Sequence, residues 1–257
     1  MDKIMIHYHG TPISGPQQDK SRFYLGRHAL VPFLYQNDLP IVQECCQSFI
    51  LDNSAFSHWK QGGEISVIDY AKWVQSLENH PGFDWCIIPD KIDGTEDENI
   101  ALIEEWQSLG IDALSVPVFH LHESIDYLSY LIDKFRIIAL GSSGEWSSPG
   151  TPSWWLRIEQ IMDVLCDSAG RPKRKIHGLR MLDPNIFSHL PLSSADSANA
   201  GINAGSIKRF GMYTPPTAAQ RAEVIANRIE QYNSSHLFIK NEIERNPEFI
   251  LQMQQVI

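Results

Sequence analysis

The chain has 257 residues, of which 43% are hydrophobic and 20% charged, and it carries a formal net charge of −10. That size allows one large α/β domain with a full core, and the composition excludes a disordered or collagen-like chain. An acidic average argues against a broad nucleic-acid surface, although affinity depends on where the cations sit.

The four cysteines, Cys45, Cys46, Cys86 and Cys166, form no C-x-x-C pair and read as reduced thiols. Residues 1–4 lack a secretory apolar core, and no apolar run reaches the length of a membrane span. The expectation is a cytoplasmic protein with no membrane partner.

In chain order, β-rich runs fall at 4–8, 48–52, 85–90, 114–120, 136–141 and 175–181, with weaker ones at 192–197 and 206–210. Helical spacing fills the intervals. Over 67–79 the apolar positions are Val67, Tyr70, Ala71, Val74 and Leu77. A second helix, 98–109, stops at Gly110, and others cover 125–134 and 154–166. Pro215-Pro216 opens a C-terminal helical segment, about 215–257, with its long helix over 218–232. Strand–helix alternation predicts a mainly parallel sheet. About eight strands predict an α/β fold, a TIM-like (β/α)8 barrel, in a single domain over 1–257. A doubly wound sheet is the alternative, but no G-x-G-x-x-G follows the first strand.

Polar groups terminate several of these strands: His7 and His9, then Asp52-Asn53-Ser54, Asp90 and Asp93, His120, Gly141-Ser142-Ser143 and Asp196. In a (β/α) barrel such ends converge on the face where chemistry occurs. One aspartate there is explained by helix capping. Asp, Asp, His and Asp after four different strands point to a shared polar site. Two carboxylates facing one substrate can divide nucleophilic and proton-transfer work. Gly141-Ser142-Ser143-Gly144 reads either as close backbone approach to a flat ligand or as a plain connection. Phe56 follows Asp52 closely and is a candidate for stacking on a base.

These segments resemble the tRNA-guanine transglycosylase superfamily, and more closely its DNA-modifying branch of phage and genomic-island 7-deazaguanine transglycosylases. The matching stretches are 49–56, 88–90, 116–120, 139–145, 177–181 and 194–197, in family order. The resemblance implies exchange of guanine in DNA for a preQ0-like 7-deazaguanine through a covalent intermediate on Asp196, with Asp52 as general acid/base. It also implies that Asn53 and Ser54 line the pocket, that Asp90 or its rival Asp93 reads the purine edge, and that His120, Gly141, Ser142 and Ser143 contact the base. The partners would then be DNA, or tRNA in the alternative, and the free base. Whether the chain dimerises is left open.

The chain departs from that family in having no C-x-C-x-x-C-plus-His zinc subdomain, so no cofactor is expected. Arg171, Lys173, Arg174 and Lys175, with Lys208 and Arg209, are the cations expected to hold nucleic acid around the mouth. Two rival readings remain. One is an amidohydrolase-type barrel binding a metal through His7 and His9. The other is a non-catalytic nucleobase- or DNA-binding barrel.

Overall fold

In the computed structural model, residues 5–64, 66–206, 210 and 213–240 are described. Nine strands make one sheet: β1 (Ile6–Gly10), β2 (His28–Pro32), β3 (Ser48–Asp52), β4 (Phe83–Ile87), β5 (Ser115–Val116), β6 (Val118–His120), β7 (Ile137–Gly141), β8 (Lys175–Leu179) and β9 (Ser194–Ser197). Their order is β5-β4-β3-β2-β1-β9-β8-β7-β6. The registered pairs β1–β2, β2–β3, β3–β4, β4–β5, β6–β7, β7–β8 and β8–β9 are all parallel. The fold is α/β of the (β/α)-barrel class, as the strand–helix alternation predicts.

The helices are α1 (Gln17–Tyr24), α2 (Leu39–Cys45), α3 (Ala55–Gln61), α4 (Val67–Leu77), α5 (Glu96–Ser108), α6 (Ile125–Lys134), α7 (Pro152–Leu165), α8 (Pro184–Phe187), α9 (Asn199–Asn203) and α10 (Ala218–Ile229). Side-chain caps start the longer ones. Ser66, Thr95, Ser124, Thr151 and Thr217 each accept a hydrogen bond from the third helical N–H, which satisfies a donor the helix itself cannot. Thr95 and Glu98 complete a reciprocal capping box.

The chain divides into two compact units. One holds Ile6–Pro117 and Asp196–Gln231, and the other Met5, Val118–Ala195 and the described part of the 232–257 segment. In the second unit β7, Ile-Ile-Ala-Leu-Gly, is buried at every position, as expected for a parallel strand covered on both faces. Leu128, Leu131, Trp154, Trp155, Ile158 and Met162 of α6 and α7 are likewise buried.

In the first unit a polar network joins four strands. The β3–β4 register passes from Phe49↔Phe83 to Ile50↔Trp85, so Asp84 is a bulge residue. A bulge re-aims its side chain. The Asp84 carboxylate accepts the Tyr8 hydroxyl at 2.6 Å and the Ser48 hydroxyl, and Ser48 Oγ lies 2.7 Å from His28 Nδ1. Burial, reinforced by the Asp84 charge, holds the Tyr8 hydroxyl well above its ordinary pKa.

A second polar centre is Asp38. It is fully buried and accepts Lys20 Nζ, the Tyr24 hydroxyl and the Ile13 N–H, each at 2.7 Å.

Three details of the expected element pattern change. The 114–120 run is two strands, because Pro117 has no N–H to give the ladder. Strand β2 and helices α1, α2 and α3 were not expected: each is eight residues or shorter, too short to establish a period. Residues 207–209 of the expected strand at 206–210 lie outside the described residues.

Asp38→Ala leaves the Lys20 ammonium and a buried N–H without their acceptor. It should cost about 3–5 kcal/mol, measured as a lower urea midpoint at unchanged slope.

Candidate active site at the strand ends

The site begins with the residue that ends β3. Alternation puts Ser48, Ile50 and Asp52 on one face of the strand. Beyond Asp52 the chain makes two overlapping side-chain turns: Ser54 N–H donates to Asp52 Oδ2 at 2.9 Å, and Ala55 N–H to Asn53 Oδ1 at 2.7 Å. The turn forces Ser54 to φ 63°, ψ 23°, a left-handed conformation that costs a residue with a side chain about 1–2 kcal/mol. Leu34 N–H holds the strained residue by donating to Ser54 Oγ at 3.1 Å. Such strain persists where the surroundings over-determine it, commonly at functional sites.

Asn53 is buried and bridges to the next strand. Its Nδ2 donates to the Ile88 carbonyl at 2.8 Å and to Asp90 Oδ1 at 2.7 Å. The Asp90 carboxylate is therefore fixed by Asn53. Asp196 comes from β9 and is 5% exposed. The chain after it packs closely on β1, where a Cβ on Gly10 would stand 3.1 Å from the Ala198 backbone; only glycine leaves room for that approach.

These placements set the electrostatics of Asp52. Burial disfavours its charged form most strongly, and the Asp196 charge adds to this. The Ser54 N–H opposes the shift and Asp90 reinforces it, and the carboxyl is pushed up to about 7. Tyr70 of α4 lies beneath, its hydroxyl shared between the Leu51 and Ile87 carbonyls at 3.2 and 3.0 Å. Burial raises its pKa far above the ordinary value, with smaller contributions from Cys86, Asp52 and Asp90.

A cavity of about 480 Å³ opens beside Asp90, lined among others by Ala55, His58, Trp59, Asp93 and Leu102. Trp59 Nε1 donates to the Asp93 carboxylate. His58 Nε2 is shielded and has no hydrogen-bond partner among the described residues. Phe56 packs against Trp59 at 5.8 Å between ring centroids, with Lys60 Nζ 4.5 Å from its ring centre.

Of the residues singled out in the sequence, Asp52, Asn53, Ser54, Asp90 and Asp196 therefore come together. Asp93 and Phe56 stand at or beside the cavity. His120, Gly141, Ser142 and Ser143 belong to the other unit and form a cluster of their own. His120 is buried, its ring stacked on His122 and its N–H donating to Glu123 at 2.7 Å. A Cβ on Gly141 would crowd the Val118 side chain at 3.2 Å. Ser142 accepts Trp154 Nε1 at 2.9 Å, and Ser143 Oγ lies 2.8 Å from His122 Nδ1.

Arg171, Lys173, Arg174 and Lys175 stand at the amino end of β8, whereas cations around a mouth belong at carboxyl ends. Lys208 and Arg209 lie outside the described residues. His9 is 1% exposed and its Nε2 meets Glu230 Oε1 at 2.8 Å. Burial alone would raise the Glu230 pKa, but His9 and Arg27 outweigh it and bring it down to about 2. Among the described residues no three His, Cys, Asp or Glu are grouped to hold a metal ion. Sequence reasoning missed His58, which reaches the cavity from the first helix after Asp52. It also missed Tyr70, whose apolar-face spacing on α4 marked it only as core.

No protein-family model matches the chain. No curated protein matches it either. Solved structures do. A variant tryptophan synthase alpha-subunit from the hyperthermophile Pyrococcus furiosus superposes with a TM-score of 0.51 at 12% identity, covering 89% of this chain and 97% of that one. A protein from Aquifex aeolicus VF5 gives 0.51 at 10% identity, covering 91% and 94%. Another Pyrococcus furiosus tryptophan synthase alpha-subunit structure gives 0.50 at 13% identity, covering 89% and 97%.

The likeness is one of fold. It corrects the transglycosylase resemblance, because the neighbours found are alpha-subunit barrels and no family match supports the other family. Guanine exchange in DNA, the glycosyltransferase class and the 7-deazaguanine substrate rested on that resemblance and are set aside with it. The short motifs misled because strand-end Asp, Gly-Ser and His residues serve many barrels. The tRNA, amidohydrolase and non-catalytic readings gain no support from the comparisons.

Folded Asp52 keeps its proton up to about pH 7, while an unfolded carboxyl loses it near 3.8. The folded state therefore binds more protons between those values, and this group weakens stability as pH rises through them. Asp52→Asn keeps an oxygen acceptor for the Ser54 N–H and removes the buried charge. It should be more stable than the parent at about pH 8 by about 2 kcal/mol, after allowance for partial solvation, and the gain should vanish near pH 4 in urea titrations.

Proposed function

We propose that the chain is an enzyme catalysing proton transfer on a small polar molecule, with Asp52 and Asp196 as complementary acid and base. The observation that carries this reading is the gathering of Asp52, Asp90 and Asp196 at strand ends, with the Asp52 carboxyl raised to about 7 by burial and by the Asp196 charge. A general acid works best with a pKa near the operating pH. A carboxyl group that holds its proton near neutrality can act as the donor beside a second carboxyl group.

The reaction class that fits is elimination–addition or isomerisation next to a polarised carbon. Asp196 takes a proton from the substrate, and protonated Asp52 delivers one to the leaving or receiving atom. Asp90, held by Asn53, orients the substrate by accepting its N–H or O–H groups. The neighbouring cavity is large enough for a small metabolite, and Trp59 and Asp93 line it. The position at strand carboxyl ends, where barrels of this class carry out chemistry, supports the same reading.

The test is incubation of the full chain with a small-metabolite extract in heavy water, followed by mass spectrometry. At least one compound should be converted with solvent deuterium incorporated, and Asp196→Asn and Asp52→Asn should each slow conversion about a hundredfold or more. Conversion without deuterium, or undiminished in both variants, would sink the proton-transfer assignment.

A further inference from the structure

A second charged feature lies in the other unit and plays no part in the carboxylate site. Residues 171–175, Arg-Pro-Lys-Arg-Lys, lead into β8. The turn before them is closed by hydrogen bonds of Asp167. The Asp167 carboxylate accepts the Ala169 and Arg171 N–H groups at 2.9 and 3.0 Å, and Asp167 N–H donates to the Arg171 carbonyl at 2.8 Å. Arg171 itself folds back on Asp167 and is neutralised there, Nε to Oδ2 at 3.1 Å.

The next two cations point to helix ends. Lys173 Nζ donates to the Val164 carbonyl of α7 at 2.8 Å, and Arg174 Nε to the Ile132 carbonyl of α6 at 2.7 Å. Capping helix carbonyls fixes these side chains in place. It consumes hydrogen bonds but leaves each full positive charge in place. Lys175 N–H donates to the Arg136 carbonyl at 3.1 Å, which brings the start of β8 beside the residue that precedes β7. Neither the Arg136 nor the Lys175 side chain has an ion-pair partner among the described residues, and both are exposed.

The result is a depression of about 340 Å³ lined by Arg136, Pro172, Lys173, Arg174 and Lys175, with no carboxylate in its lining. In a chain of net charge −10 such a concentration of unbalanced cations is contrary to the average. Like charges gathered at one spot repel one another, and a multiply charged anion relieves that repulsion.

We infer that this depression binds a small polyphosphate, two linked phosphoryl groups held by Arg136, Lys173, Arg174 and Lys175 at the amino-terminal edge of β7 and β8. Guanidinium groups match phosphate oxygens in paired hydrogen bonds, and ammonium groups supply compact charge. Four cations exceed what one phosphate dianion neutralises, and two linked phosphates restore the balance. A depression of this volume fits a small ligand, whereas a nucleic-acid duplex needs an extended basic track.

Inorganic pyrophosphate is titrated into the full chain by calorimetry, with inorganic phosphate and a short DNA duplex in separate arms. Pyrophosphate should bind with one site per chain and more tightly than phosphate. The Arg136→Ala/Lys175→Ala double variant should lose about tenfold or more in affinity. Because both side chains are exposed and unpartnered, its far-ultraviolet circular dichroism and melting temperature should match the parent. A control pair, Arg22→Ala/Lys72→Ala, should leave binding unchanged. Raising salt from roughly 50 to roughly 200 mM should weaken the interaction. Three results would each overturn the assignment: no pyrophosphate heat at millimolar ligand, equal affinity in the Arg136/Lys175 variant, or duplex binding that pyrophosphate does not displace.

Discussion

A carboxyl group only partly open to water, set beside Asp90 and Asp196, is the constraint around which the candidate site is organised. Asp52 is given one strong compensating donor, the Ser54 N–H. To supply it the chain must turn within two residues of the strand end, and that turn is what forces Ser54 into the left-handed region. The same turn frees Asn53 to reach across to Ile88 and Asp90. Helix α3 then starts directly at Ala55, which places His58 and Trp59 over the cavity. One local electrostatic problem thus determines the path of the following helix and the orientation of a third carboxylate.

Asp52 and Glu230 show opposite solutions to carboxylate burial. Glu230 has His9 and Arg27 as partners, and its pKa falls to about 2 despite burial. At Asp52 burial dominates, the Asp196 and Asp90 charges add to it, and the pKa rises to about 7. The first arrangement holds two segments of the chain together. The second stores unfavourable energy that folding elsewhere must offset, the usual relation between an active site and its scaffold.

The parts of the fold legible in the sequence were those with length and period. The five-residue strand ending on Asp52 and the amphipathic helix α6 fall where their patterns put them, because apolar spacing reflects a buried face directly. The short helices after β1, β2 and β3 were hidden, since seven or eight residues give barely two turns of evidence. The site was half legible. Asp52, Asn53, Asp90 and Asp196 announce themselves as polar residues at the ends of apolar runs. What they act on did not, because short strand-end motifs record the geometry of a barrel more faithfully than its chemistry. The cations of 171–175 were visible as a run leading into the strand at 175–181, so their place at its amino end was legible in the sequence.

The Tyr8, His28, Ser48 and Asp84 network bears on a question that apolar packing answers poorly. A two-residue slip between parallel strands keeps every side chain on its own face, so alternation alone does not choose among such alignments. A slip of β4 along β3 would pull the bulged, half-buried Asp84 away from Ser48 and leave the buried Tyr8 hydroxyl without its acceptor, a cost of about 1–3 kcal/mol. These partly buried polar groups therefore act as a proofreading key for strand alignment: they add little to the depth of the native minimum and remove its closest competitors.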